Sequence, residues 1–305
     1  MPRSLRIGTR GSALALVQAR AVQAALAEVS PSLGSSLHAI TTTGDEVTDR
    51  PLDQIGGKAL FTKEIDRALL AGEIDCAVHS MKDMESVLAE GLVIAAVLPR
   101  ADPLDCLIGA ESLAHLPHGA RLGTSALRRT AQALAMHRDL SIMPLRGNVD
   151  TRLAKWQRGE CDAIILAKAG LDRLGRAGTI SHVFTPDEML PAAGQGIIAL
   201  VARAGDTPTL SLLAPIDHEP THLAGTAERS FVAGLGGSCR SPIAAYAQIS
   251  HERLLLKGAL LSRDGAEFVR ERIDGPSAQA AALGLALAGR VKAKASPALL
   301  AVLAE

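Results

Sequence analysis

The segment Arg6-Ile7-Gly8-Thr9 returns later in the chain as Arg121-Leu122-Gly123-Thr124, each time where an apolar run passes into a helical pattern. A second segment, Gly72-Glu73-Ile74-Asp75, returns in the same order as Gly159-Glu160-Cys161-Asp162, each time before a short apolar run. Short apolar runs bounded by turn residues are typical of buried strands. Two echoes in the same order therefore predict two lobes of similar topology, with coincidence as the alternative for matches of only four residues.

Around these segments, short apolar runs alternate with helical patterns across the first two hundred residues. That alternation is typical of βα units in mainly parallel sheets. Predicted strands include residues 5–8, 39–42, 76–78, 92–98, 163–166 and 197–201, with a helix capped by Ser12 and another over 62–70. The polar, glycine-rich residues 45–58 predict a mobile loop, and the proline-bounded segment 99–103 predicts a hinge between the lobes.

The last ninety residues change character. A helix is predicted over 218–233, followed by alternating segments at 243–249, 254–260 and 267–273 and an alanine-rich helix over 278–292. This pattern is typical of a small antiparallel sheet with helices on one face. The predicted fold is α/β, with two similar doubly wound lobes and a small α+β C-terminal domain. The expected domains are residues 1–98 with 197–215, residues 103–193, and residues 218–305.

The composition argues against several classes of protein. With 305 residues, the chain is too long for one ordinary core. Basic and acidic residues balance at 32 each and aromatic residues make up 2%, which disfavours nucleic-acid and membrane-surface binding. The four cysteines form no C-x-x-C pair, so neither a disulfide framework nor a metal site is expected. No apolar stretch has the length of a membrane span or signal peptide. We therefore expect a soluble, cytoplasmic and monomeric protein.

Arginines follow the predicted strands in both lobes. Arg10 follows the first strand, and the others are Arg128, Arg129, Arg146 and Arg152. Ligands of doubly wound sheets gather beyond the carboxyl ends of the strands, where helix N-termini also favour anions. Guanidinium groups bind carboxylates or phosphates in a bidentate manner. The pattern predicts a substrate with several anionic groups, and the alternative is a set of solvated arginines on helix surfaces.

Asp83 closes the segment VHSMKD, in which a buried strand runs directly into polar residues 79–83. A carboxylate there can donate a proton to a leaving group and then stabilise a cation. The alternative is an aspartate that only caps the next turn. His79 and Cys76 do not predict a metal site, because no further ligands follow at a usable spacing.

Cys239 lies in the glycine-rich loop 234–242 beside Arg240. An exposed cysteine next to a cation is a candidate nucleophile or attachment point, and the alternative is a structural cysteine that packs inward. A separate segment, Gly56-Gly57-Lys58, looks like a phosphate motif but is not a Walker motif, because Leu52 replaces the earlier glycine and Ala59 follows the lysine.

Taken together, these segments resemble the porphobilinogen deaminase family, also called hydroxymethylbilane synthases. The resemblance runs from Arg6 to about Ala245 and is weaker over the last sixty residues. The segments that carry it are 8–12 (GTRGS), 56–61 (GGKALF), 78–83 (VHSMKD), 123–129 (GTSALRR), 145–149 (LRGNV), 151–153 (TRL), 191–196 (PAAGQG) and the Cys239 loop.

The resemblance implies two lobes like type II periplasmic binding proteins, with the active site in the cleft between them. It implies a dipyrromethane cofactor, made from substrate and joined by a thioether to Cys239. It further implies that porphobilinogen units are condensed stepwise and released as the linear tetrapyrrole hydroxymethylbilane. Asp83 would protonate the departing amine, stabilise the resulting cation and help remove the proton from the pyrrole carbon after coupling.

The same resemblance implies roles for further side chains. Those implied to hold carboxylates are Arg10, Lys82, Arg128, Arg129, Arg146 and Arg152. Supporting positions are Ser12, Ser80, Ser125, Arg173 and Gln195, and Lys58 and Phe61 belong to the loop over the cleft.

The sequence departs from the family pattern at a few positions. Met84-Glu85 stands where Val-Pro is usual, Ala126 replaces a common serine, Val201 a common glutamate, and Gly234 a frequent arginine. None of these removes a residue implied in the chemistry. The main alternative function is a two-lobed anion-binding protein without catalysis. A family member that has lost activity and a pure interaction protein are two further hypotheses.

Overall fold

Two five-stranded mixed sheets and one three-stranded antiparallel sheet form the framework in a computed structural model, which describes residues 4–46, 62–238 and 241–303. Within these residues the strands are β1 (Ser4–Thr9), β2 (Gly34–Ala39), β3 (Cys76–Ser80), β4 (Leu92–Val97), β5 (Asp105–Ile108), β6 (Arg121–Gly123), β7 (Ser141–Met143), β8 (Ala163–Ala167), β9 (His182–Val183), β10 (Ile198–Arg203), β11 (Ile243–Ser250), β12 (Arg253–Leu261) and β13 (Phe268–Pro276). The helices are α1 (Ala13–Val29), α2 (Thr43–Glu46), α3 (Lys63–Leu70), α4 (Leu127–Met136), α5 (Val149–Gln157), α6 (Lys168–Arg173), α7 (Thr207–Leu213), α8 (Glu219–Leu235), α9 (Ala280–Lys294) and α10 (Pro297–Ala301).

The first two sheets have the same topology. Their strand orders are β2-β1-β3-β10-β4 and β7-β6-β8-β5-β9. In each, one strand runs against the other four: β10 pairs antiparallel with both β3 and β4, and β5 pairs antiparallel with both β8 and β9. Helices cover both faces, as α1 packs on one face of the first sheet and α3 on the other. The prediction of two similar doubly wound lobes is confirmed, and we call them the first and second lobe.

The sequence echoes turn out to be contact partners. Arg6 forms an ion pair with Asp75 at 2.7 Å, and Arg121 forms the equivalent pair with Asp162 at 2.7 Å. In both lobes the same carboxylate also accepts a hydrogen bond from the backbone N–H of its arginine. Each pair ties one strand to the start of the parallel strand beside it, so the two echoed segments make the same contact in both lobes.

The strand predicted at residues 39–42 is wrong. The strand is β2, Gly34–Ala39, and it pairs in parallel register with β1 from Ser4 opposite Gly34 to Thr9 opposite Ala39. It is an edge strand with no fully buried residue, so backbone pairing rather than apolar burial holds it in place. The predicted loop 45–58 begins inside α2, and the remainder of it lies outside the described residues.

The C-terminal sheet has the order β11-β12-β13 and is antiparallel throughout, as predicted. Helices α8 and α9 pack on it around the buried side chains of Phe231, Leu256 and Leu287. Helix α8 begins after His218, whose side chain accepts from the Thr221 N–H, and ends at Gly236 with φ of 80°. Across the described ranges, no helix combines the length and apolarity needed to cross a membrane.

Candidate active site

Asp83 lies on a single 3-10 turn, Met81–Asp83, that follows β3 directly. The turn is held because the Met81 N–H donates to the Ile197 carbonyl at 3.0 Å and the Met84 N–H donates to the Met81 carbonyl at 3.1 Å. The Met81 side chain is buried in the core, whereas Asp83 is half-buried. Burial of its neighbour therefore fixes the direction of the turn and leaves the carboxylate at the edge of a pocket.

That pocket brings together four of the predicted site residues: Arg10, Ser12, Ser80 and Asp83. They come from the carboxyl ends of β1 and β3 and from the start of α1, whose first turn Ser12 caps by accepting from the Ala15 N–H at 3.3 Å. The remaining lining residues are Leu14, Ala15, Gln18, Thr62, Val78 and His79. The four predicted side chains therefore lie close together at the ends of two strands and at the start of a helix.

Gln18 also lines this pocket, and the sequence reasoning missed it. Its side chain is 3% exposed and donates from Nε2 to the Ser80 hydroxyl at 2.8 Å. The available signal was its spacing, because Gln18 falls four residues after Leu14 and four before Val22, on the apolar stripe of α1. A polar side chain in such a stripe marks either a buried hydrogen bond or a site.

The arginine pair on α4 is organised by Asp105, a second residue that was missed. Arg128 donates to Asp105 Oδ2 at 2.6 Å, and Arg129 donates to Oδ1 at 2.8 Å. Asp105 is fully buried, and burial by itself would raise its pKa. The two guanidinium charges outweigh that effect and hold the pKa of Asp105 well below its ordinary range. Two cations and one anion leave this buried cluster with net positive charge.

Gln195 connects this cluster to the first lobe. Its amide nitrogen donates to Asp105 Oδ1 at 2.9 Å and to the Pro103 carbonyl at 2.7 Å, and its oxygen accepts from Lys82 Nζ at 3.3 Å. Burial, and then the charge of Arg129, lower the pKa of Lys82 to about 8 against the opposing effect of Asp83. Lys82 therefore lies at the junction of the two lobes, next to the catalytic candidate.

Arg152 extends the positive region. Its Nε donates to the Gly147 carbonyl at 2.8 Å, and burial followed by the charge of Arg129 lowers its pKa to about 10. Asp83 and Arg146 also act on Arg152 electrostatically, so these side chains share one environment. Arg173 donates to the Gly196 carbonyl at 2.8 Å, and burial lowers its pKa. Lys82 and Arg152 therefore both lie within electrostatic range of Asp83 and of Arg129.

Ser125 has a hydroxyl that fits a ligand-binding role. It precedes α4, its oxygen is buried, and in the described part of the chain it has no hydrogen-bond partner. A buried hydroxyl without a partner is costly unless a bound group satisfies it. Together with the converging cations, it fits a group that bears several carboxylates, such as a dipyrromethane.

The departures from the family pattern leave these residues in place. Met84 is 4% exposed and packs in the core of the first lobe, and Val201 packs in the same core. Glu85 acts electrostatically on Arg229 of α8. At Gly234, an added Cβ would lie 2.8 Å from the Ala288 Cβ, so the close approach of α8 and α9 leaves no room for an arginine.

Three predicted site residues, Cys239, Lys58 and Phe61, lie outside the described residues. The other cysteines, Cys76, Cys106 and Cys161, are all buried, and burial raises the pKa of Cys76 and of Cys106 to about 12. None of these three is therefore suited to act as a nucleophile. In the ranges that the structure describes, no group of three or more His, Cys, Asp or Glu side chains could hold a metal ion.

Comparison with known proteins gives consistent matches. Residues 5–211 match the family model "Porphobilinogen deaminase, dipyromethane cofactor binding domain", and residues 222–293 match "Porphobilinogen deaminase, C-terminal domain". The porphobilinogen deaminase of Roseiflexus sp. (strain RS-1) is 48% identical over 99% of this chain and 100% of the relative. That of Syntrophotalea carbinolica is 47% identical over 98% of this chain and 96% of the relative.

Among solved structures, the periplasmic aliphatic sulphonate binding protein SsuA from Escherichia coli matches with a TM-score of 0.42 and 15% identity. The match covers 76% of this chain and 70% of the SsuA chain. The identity to the deaminases extends over nearly the whole length of this chain and of theirs. The chain belongs to the porphobilinogen deaminase family.

Proposed function

We propose that this protein deaminates porphobilinogen and condenses it stepwise onto a dipyrromethane primer held on Cys239, releasing hydroxymethylbilane. The observation that carries the proposal is the position of Asp83, which lies in one pocket with Arg10 and shares an electrostatic environment with Arg152. Porphobilinogen bears an acetate and a propionate, so a carboxylate that handles protons must work among cations that hold the substrate. The dipyrromethane, when bound, supplies the pyrrole carbon to which the next unit is joined.

In this proposal Asp83 handles the proton and the charge. Its protonated carboxyl group gives a proton to the amine that leaves as ammonia, and the resulting carboxylate stabilises the cation left on the substrate methylene carbon. The same carboxylate then takes up the proton that the coupled pyrrole carbon releases. Because Asp83 is half-buried on a turn fixed by Met81, it reaches the pocket without being surrounded by water.

The cations hold and orient the substrate and the growing chain. Arg10 would bind a carboxylate on the Asp83 side, and Lys82 one at the junction of the lobes. Arg128, Arg129, Arg146 and Arg152 would hold carboxylates from the side of the second lobe, with Arg173 nearby. Ser125 would donate its hydroxyl to the bound group, while Ser12, Ser80 and Gln195 keep the surrounding backbone and side chains in place.

Three further expectations belong to the same proposal. The three sheets support domain boundaries at residues 1–98 with 197–215, 103–193 and 218–305. A cytoplasmic location and a monomeric state follow from the sequence prediction, and Lys58 and Phe61 are assigned to the loop over the cleft.

Turnover of porphobilinogen by the purified chain tests the proposal. We expect Asp83→Asn, which keeps the shape of the side chain, to lower kcat by about 10²- to 10⁴-fold with little change in KM, as for loss of a general acid. The exposed Asp150→Asn serves as a matched control with unchanged kcat. Binding of porphobilinogen without turnover by the unaltered protein would contradict the proposal and favour the anion-binding alternative.

A further inference from the structure

Two hydrogen bonds join the segment after Asp83 to the C-terminal domain, one at the start of the Cys239 loop and one at α8. The Ser86 hydroxyl donates to the Gly237 carbonyl at 3.1 Å. Arg229 Nη2, from α8, donates to the Ser86 carbonyl at 3.0 Å. Ser86 follows Asp83 by three residues, and Gly237 precedes Cys239 by two. We call Ser86, Arg229 and Gly237 the Ser86 bridge.

The chain on both sides of the bridge is itself held. Gly237 is buried, its N–H donates to the Val232 carbonyl at 3.1 Å, and an added Cβ would lie 2.2 Å from Ile243 Cδ1. Ser238 donates its N–H to the Ser241 hydroxyl at 3.0 Å, on the far side of Cys239. The N–H of Gly237 is thus bound to a carbonyl of α8. The carbonyl of Gly237 accepts the hydrogen bond from Ser86 of the first lobe.

Charge reinforces the contact from the first lobe. Burial lowers the pKa of Arg229, and the charge of Glu85 opposes that effect. Glu85 precedes Ser86 directly, so the carboxylate and the Ser86 carbonyl both attract the guanidinium of Arg229. The departure Met84-Glu85 and the serine that follows it thus form an attachment to the C-terminal domain.

We propose that Ser86 and Arg229 are positioning residues that hold the start of the Cys239 segment against the Asp83 turn while the cofactor is attached. The inference rests on the proposed function. In attachment, a bond forms between the cysteine sulfur and the substrate methylene carbon, the carbon–nitrogen bond breaks, and the thiol proton leaves with the amine as ammonia. A pyrrole carbon of the attached unit then displaces ammonia from a second porphobilinogen in the same way. Both displacements involve Asp83 and the cysteine thiol, or the unit attached to it, at one reacting carbon. The bridge joins Ser86, three residues after Asp83, to Gly237, two residues before that cysteine.

The test measures cofactor loading rather than turnover. The full-length protein would be produced in cells that make no porphobilinogen, then mixed with porphobilinogen, and the two-pyrrole adduct followed by intact mass. Loss of one hydrogen bond in Ser86→Ala is expected to slow loading about fivefold. Ser86→Thr keeps the hydroxyl and is expected to load at the rate of the unaltered protein. Arg229→Gln, which removes the donor on the helix side, should also load slowly.

The outcomes separate the inference from the proposed function. Slow loading by Ser86→Ala, with rescue by Ser86→Thr and an unchanged thermal midpoint in both, supports the bridge. Equal rates in the unaltered protein and Ser86→Ala overturn the bridge and leave the proposed function standing. If the unaltered protein forms no adduct, the proposed function fails and the inference fails with it.

Discussion

A single carboxylate, Asp105, lies between two arginines that are 4% and 5% exposed. Each guanidinium would be costly to bury by itself, because the attraction of a partner must offset the loss of hydration. Asp105 gives each of its oxygens to one arginine and accepts a further hydrogen bond from Gln195. Its pKa lies below the ordinary range, so it stays charged, and its stabilising effect is lost only under strongly acidic conditions.

We predict that Asp105→Asn destabilises the protein by roughly 3–5 kcal/mol, since it leaves two buried cations without a counter-charge. The measurement is urea unfolding at neutral pH. Asp150→Asn is the matched control, because Asp150 pairs with Arg176 on the surface and the two side chains are 47% and 52% exposed. The control is expected to lose less than about 1 kcal/mol. Equal losses in the two variants would contradict this account of the cluster.

Lys82 gives the site a dependence on pH. Its pKa of about 8 lies below the 10.5 of an unperturbed lysine, so the ammonium charge is lost as pH rises through 8. Between pH 8 and pH 10.5 the unfolded chain keeps a proton on Lys82 that the folded protein has lost. Burial of the charged ammonium therefore lowers the folding stability in full below pH 8, and this loss disappears as the pH rises from 8 to 10.5. A bound carboxylate favours the charged form, so binding weakens when the charge is lost.

We therefore expect the KM for porphobilinogen to rise as pH is raised from 7 to 9, by up to about tenfold per pH unit above the pKa. Lys82→Arg keeps its charge over this range, and its KM should stay flat whatever its absolute value. Steady-state kinetics at constant ionic strength provide the measurement. A flat KM in the unaltered protein, or the same rise in both proteins, would show that Lys82 does not hold a carboxylate.

At the scale of elements, apolar periodicity located most of the helices and buried strands that it predicted to within two residues. Strand β3 was expected at 76–78 and extends over Cys76–Ser80, and α8 was expected at 218–233 and extends over Glu219–Leu235. Strand β2 was missed because an edge strand of polar residues carries no periodic apolar signal. What defines it is its backbone pairing with β1, which no local pattern in the sequence records.

The same reasoning explains which parts of the site could be predicted. Arg10, Ser12 and Asp83 lie at strand and helix ends, and the topology of a doubly wound sheet brings such ends together. Asp105 and Gln18 were missed because their roles depend on contacts with residues 23 and 62 positions away in the chain. A charged or polar residue inside an apolar segment was the available signal in both cases.

The hairpin between β12 and β13 supports α4, the helix that carries the arginine pair. Gly265 has φ of +68°, and an added Cβ would lie 2.1 Å from the Ala131 carbonyl oxygen. We predict that Gly265→Ala costs roughly 2–4 kcal/mol through backbone strain and overlap with α4. Gly178→Ala is the control, because no atom lies within 4 Å of its added Cβ. Thermal unfolding compares them, and a Gly265→Ala midpoint equal to that of the control would contradict the contact.

Across the whole molecule, Glu228 connects the three sheets. It is fully buried, and it accepts from Arg100 at 2.6 Å, from the Gly194 N–H at 2.6 Å and from the Ala247 N–H at 2.7 Å. Arg100 lies in the segment between β4 and β5, and Gly194 lies in the return segment before β10. One carboxylate of the C-terminal domain therefore holds both chain crossings between the lobes, next to Gln195 and the site.

A two-lobed protein lined with cations could bind anions without changing them, so the covalent primer is the feature that distinguishes the two functions. The most direct measurement is the intact mass of the purified chain beside that of Cys239→Ser. We predict an excess mass of a two-pyrrole adduct on the unaltered chain and none on the variant. An unmodified mass in both, persisting after incubation with porphobilinogen, would contradict the account.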